Sequence, residues 1–191
     1  MATRSDALLP GAMPVNIAGA FRFGAVGTTL PAKTSDTFDA GLKLGGLISP
    51  DGLTENLEAE PQVEYAWGKA PIAVLLPEHA YSFSFTLYEI MNRDVQELLH
   101  GADNVTVDED GEIHTEIKPE LAPEVAAVFQ MHSKGKGVQV ISVPRAQVVW
   151  SGEVTYSDEG IPGYPVTVTA LDSGDGSAKA TKHLRPTVTT A

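Results

Sequence analysis

The chain has 191 residues, 42% of them hydrophobic, and no cysteine. That is enough for one sizeable domain with a packed core, and it excludes wholesale disorder, a disulfide framework and any thiolate metal site. Twenty-five acids against 13 bases leave a net charge of −12, a poor balance for gripping nucleic-acid phosphates, where affinity comes from neutralising them.

Taken in chain order, residues 1–14 hold Pro10, Gly11 and Pro14 with little periodicity and read as an arm. Its apolar run at 7–10 is too short and broken for a secretion signal, and no apolar run approaches a membrane span, so no membrane insertion is expected. A strand is predicted over 20–26 and a short one over 42–48, interrupted by Gly45 and Gly46; Pro50, Asp51 and Gly52 then make a turn into an acid-rich strand over 53–59. From 60 to 80 the pattern weakens between Pro61, Pro71 and Pro77, and only 72–76 looks regular. A long aperiodic connection is usually functional. Tyr65, Trp67, Ile72, Val74 and Leu75 are too apolar for a solvated loop, which marks them as candidates for contact with another subunit.

The clearest signal follows. Tyr81, Phe83, Phe85 and Leu87 alternate with Ser82, Ser84 and Thr86, the period of a half-buried strand. Asn92 is then a candidate N-cap, Val95, Leu98 and Leu99 form an apolar stripe, and Gly101 supplies the stop of a single helix. Phe83, Phe85, Leu98 and Leu99 are expected to be buried where strand meets helix. Further strands are predicted over 112–118, 124–132, 137–149, 148–156 and 163–171, and residues 172–191 read as a flexible tail. The fold class is therefore mainly β with one helix, organised as an arm (1–14), a β domain (15–171) and a tail (172–191).

No motif points to catalysis. His79, His100, His114, His132 and His183 lack metal-pair spacing. Aligning Gly111 of the acidic run 108–112 with the glycine of a calcium loop puts Thr106 first and Ile117 twelfth, so the bidentate acid is missing. Lys134, Gly135, Lys136 and Gly137 lack the spacing of a phosphate loop, and there is no nucleophile elbow. No enzyme activity, metal or cofactor is expected, although a dispersed catalytic triad leaves no sequence signature.

Several segments in order then carry a resemblance: 21–27 (FRFGAVG), 47–54 (LISPDGLT), 65–69 (YAWGK), 83–94 (FSFTLYEIMNRD), 101–106 (GADNVT) and 152–171 (GEVTYSDEGIPGYPVTVTAL). The chain resembles the major tail tube proteins of long-tailed bacteriophages, of the type found in phages of actinobacteria. The resemblance implies a small β-sandwich or partly closed barrel flanked by one helix. It also implies a structural virion protein, made in the host cytoplasm, that forms hexameric rings stacked into the tube for DNA ejection. Its partners would be further copies of itself, a tape measure protein and tail tip or terminator proteins, with DNA passing through without specific binding. An acidic lumen would repel DNA and keep friction low; Glu55, Glu58, Glu153 and Asp158 are the candidate lumen acids, and the 60–80 segment is the candidate assembly loop. Pro144 and Pro165 fall in presumed strands and must lie at edges or bends. Another tail or head–tail connector protein, and a monomeric β-sandwich binding module, are the alternatives.

Overall fold

A computed structural model describes residues 9, 11–75, 79–133, 137–174 and 176–186. Its strands are β1 (Met13–Pro14), β2 (Phe21–Ala25), β3 (Lys43–Leu44), β4 (Thr54–Ala59), β5 (Gln62–Tyr65), β6 (Pro71–Leu75) and β7 (His79–Leu87). After the helix α1 (Arg93–His100) come β8 (Val105–Val107), β9 (Ile113–Thr115), β10 (Val125–Ser133), β11 (Gly137–Trp150), β12 (Tyr164–Ala170) and β13 (Thr181–Pro186).

One large antiparallel sheet runs β3-β2-β10-β11-β12-β7-β4. β1 continues the β2 side of β10, and β13 pairs with the first half of β11 while β12 takes the second half. The sheet curls until its ends meet. Residues just beyond β3 bridge them: the Gly45 amide donates to Phe21 O, Tyr88 N donates to Leu47 O, and Ser49 N donates to Thr86 O, each at 2.9 Å. This segment therefore hydrogen-bonds β2 on one side and β7 on the other, giving the partly closed barrel. The approach is close. A Cβ on Gly45 would stand 2.3 Å from Phe21 Cδ1, and Gly46 turns the chain at φ +81°, which is why two glycines interrupt the expected strand.

Inside, the alternation of β7 works as expected: Phe83, Phe85 and Leu87 are buried, and Ser82, Ser84 and Thr86 face the other way. Because the sheet folds over itself, non-adjacent strands meet through aromatic rings. Phe83 lies 4.4 Å from Phe129 and Phe21 lies 5.0 Å from Phe85, centroid to centroid. α1 seals the core with Val95, Leu98 and Leu99. The Asn92 side chain caps its start by accepting from Asp94 N at 2.9 Å, and Gly101 ends it at φ +86°. Lys43 ties the helix to β3 through Asp94 and Glu97, both at 2.7 Å.

Both prolines sit where a missing N–H is tolerated. Pro144 falls at a bulge in β11, where Val125 pairs with Ala146 and Ala127 with Val143, leaving one extra residue on β11. Pro165 is the second residue of β12 and faces Ser151, just past the end of β11.

Four expectations need correction. Residues 60–80 are not an aperiodic loop but contain β5 and β6, paired as a two-stranded ribbon. Residues 151–156 form no strand. Part of the expected tail, 181–186, is β13, paired along β11. The expected arm contributes β1, paired with β10 at His132 and Met131. For β1 and β13, pairing with a distant strand decided the outcome. Residues 1–8 and 10 of the arm, Leu76, Lys134 to Lys136, and 187–191 of the tail lie outside the described residues, as does the side chain of Leu75.

Candidate assembly surfaces

The ribbon grows out of the barrel. β4 and β7 pair from Thr54–Ser84 to Ala59–His79, and beyond Pro61 the same two chain directions continue as β5 and β6. Val63 stands opposite Val74, with Tyr65 and Ile72 two residues further toward the tip. Side chains on a strand alternate between faces, so Val63 and Val74 share one side of the ribbon while Gln62 and Glu64 take the other; toward the tip a bulge pairs Tyr65 with Pro71 and leaves Ile72 as the extra residue. Tyr65 is 60% exposed, Ile72 67% and Val74 68%. At the tip Trp67 is fully exposed, and Lys69 holds the turn with φ 63° while its amide donates to Ala66 O at 3.0 Å. Trp67 is thus no core residue. These apolar side chains thus stand in solvent rather than in the core.

The four candidate acids do not gather. Glu55 lies in register with Phe83 and so faces the core side of the sheet, where it accepts a hydrogen bond from Tyr81 Oη at 2.6 Å and forms an ion pair with Lys182. Burial raises its pKa, but the bonds from Lys182 and Tyr81 outweigh this and hold the carboxyl below its ordinary value. The pair also latches β13 onto β4, a contact that no local pattern announces. Glu58 points to the opposite face, accepting from Asn56 Nδ2 at 3.0 Å. Glu153 and Asp158 are exposed in the connection between β11 and β12.

The face that carries Glu58 is mostly uncharged. Thr54, Asn56, Ser82, Ser84, Thr86, Thr167 and Thr169 line it from β4, β7 and β12, with Thr167 Oγ1 2.9 Å from Ser151 Oγ. Its serines were legible in the alternation of 81–87; its extent came from strand order.

Asp108, Glu112 and His114 come within ligand reach of one another in the turn between β8 and β9. Asp108 Oδ1 accepts the amides of Asp110 at 3.1 Å and Glu112 at 2.9 Å, and Oδ2 lies 3.4 Å from His114 Nε2. The carboxylate shapes its own turn, in keeping with the reading of this run as an acidic surface turn.

Together these features define a β-barrel building block: aromatics closed inside, and an apolar ribbon held out in solvent. The chain belongs to the phage tail tube protein family, whose pattern matches residues 10–190. It is accordingly a structural component of the virion tail. No curated protein matches the chain.

Proposed function

We propose that copies of this chain assemble into hexameric rings that stack into the tail tube of a long-tailed phage, the conduit through which DNA is ejected. The observation that carries this is a family match over nearly the whole chain together with an apolar ribbon whose side chains are left in solvent. The role is structural, with no catalytic step, cofactor or metal. The tape measure protein fills the lumen before ejection, and tip and terminator proteins bound the tube. The edge of β4, exposed along its whole length, is a pairing surface that ring closure removes.

Net charge supports a lumen that repels DNA. Glu58, Glu153 and Asp158 are the acids free to contribute, whereas Glu55 is already neutralised by Lys182. Electron microscopy of purified protein, and of tails, tests the reading: class averages with six-fold symmetry and stacked striations are the expected result, and a tube wall lacking this chain would overturn it. Charge reversal of Glu58, Glu153 and Asp158 to lysine should slow ejection. Ejection indifferent to all three would mean that the negative charge serves solubility alone.

A further inference from the structure

On the barrel, at the end of β4 opposite the ribbon, an apolar groove of about 420 Å³ opens between the 12–17 segment and the 48–53 turn. Met13, Pro14, Ile17, Ile48, Leu53 and Met131 line it, and buried Phe129 forms its floor. The groove is continuous with the core, since Ile48, Leu53 and Met131 pack directly against it. Its outer wall is held open by a turn in which Gly52 N donates to Ser49 O at 2.9 Å with Gly52 at φ +78°.

Resting on the tail-tube reading above, we propose that this groove receives the Trp67 tip of the ribbon of a second copy of this chain. Three observations fix the occupant. The tip offers one large aromatic with no cover of its own, and the groove offers apolar walls with an open mouth. Charge matches as well: Lys69 sits two residues from Trp67, Asp51 stands in the groove wall, and neither is in an ion pair among the described residues. Seating the indole brings amine to carboxylate.

Geometry excludes the same chain as donor. Groove and tip lie at opposite ends of the β4–β5 run, a contour on the order of 40 Å at strand rise. Knob and socket on opposite ends make a head-to-tail contact, which passes from copy to copy and closes a ring or extends a stack.

The absence of cysteine makes the test clean. Lys69→Cys and Asp51→Cys are prepared as separate variants, co-assembled into tubes and oxidised. A disulfide-linked dimer in the mixture, none in either variant alone, and a ladder of linked multimers from the double variant are expected. Tubes that form without linkage overturn the contact while leaving the tail-tube reading intact. Failure of the unaltered chain to form tubes, even when seeded, overturns the reading and the contact with it. Should the cysteine variants not assemble, a charge swap serves: Lys69→Glu should slow polymerisation at least tenfold and Asp51→Lys should restore it, and no rescue counts against the pairing.

Discussion

The barrel and the ribbon are both antiparallel β-structure with alternating side chains, yet they direct their apolar residues to opposite ends. In β7 the apolar alternates Phe83, Phe85 and Leu87 are sealed beneath β10 and α1. In β5 and β6 the apolar alternates Val63, Tyr65, Ile72 and Val74 stand in solvent. The same period produces both, because period two says which residues share a face and nothing about what lies over it. The difference is also one of stability. A two-stranded hairpin alone is marginal in water, so the ribbon depends on its continuation into β4 and β7, whereas the barrel carries its own core.

Replacements should separate the two regions sharply, and the largest effects belong to the barrel. Leu98→Asp places a carboxylate in the sealed core and should abolish cooperative unfolding by circular dichroism; an unchanged melting curve would mean that α1 presents another face. Phe129→Ala removes the ring that meets Phe21, Phe83 and Phe85 and should cost about 3–5 kcal/mol in chemical denaturation. Gly45→Ala should cost about 1–3 kcal/mol, since its Cβ collides with Phe21 at the seam that closes the barrel. A neutral result there would show that the seam is loose.

Acid should act on the barrel more gently. Burial raises the pKa of Glu97, but hydrogen bonds and charge from Lys43 and Arg93 outweigh this and hold the carboxyl below its ordinary value of 4.5. A carboxyl depressed in the folded state stabilises above its unfolded pKa and loses that contribution as pH falls through the folded value. Stability should therefore decline below about pH 4.5, and Glu97→Gln should flatten that part of the profile. An identical acid limb in the variant would sink the assignment.

The smallest effect on the fold should come from the ribbon tip. Trp67→Ala should leave subunit stability within about 0.5 kcal/mol, as for an exposed position, while tubes disappear from micrographs. Lost stability would mean that the tip supports its own barrel; retained tubes would mean that another surface drives assembly.

Local chemistry was legible wherever a segment carried its own period or cap. Residues 81–87, 93–100, 125–133 and 164–170 read correctly because alternation, an Asn92 cap and a Gly101 stop lie within a few residues of one another. β5 was hidden because only Gln62, Val63, Glu64 and Tyr65 carry its alternation, between a proline and a tight turn. β13 was hidden because Lys182 and Arg185 make an exposed, polar strand whose only reason to be extended is β11. Among the candidate site residues, Tyr65, Trp67, Ile72, Val74 and Leu75 stand out in the sequence as too apolar for their surroundings. The acids carry no such mark: only Tyr81 and Lys182, brought beside Glu55 by the fold, distinguish it from Glu58.

The sequence by itself determined a mainly β chain with one helix, the face that each regular strand buries, and an apolar segment apart from them. These follow from interactions a few residues long, where steric preference and hydrophobic period act directly. Only the tertiary structure decided that Gly45 closes the barrel against Phe21, that Pro144 occupies a bulge, and that Glu55 is latched to Lys182. It alone put the Asp51 groove and the Trp67 tip at opposite ends of one strand run. Each joins residues distant along the chain, and such pairings are selected by global packing, which no local pattern encodes.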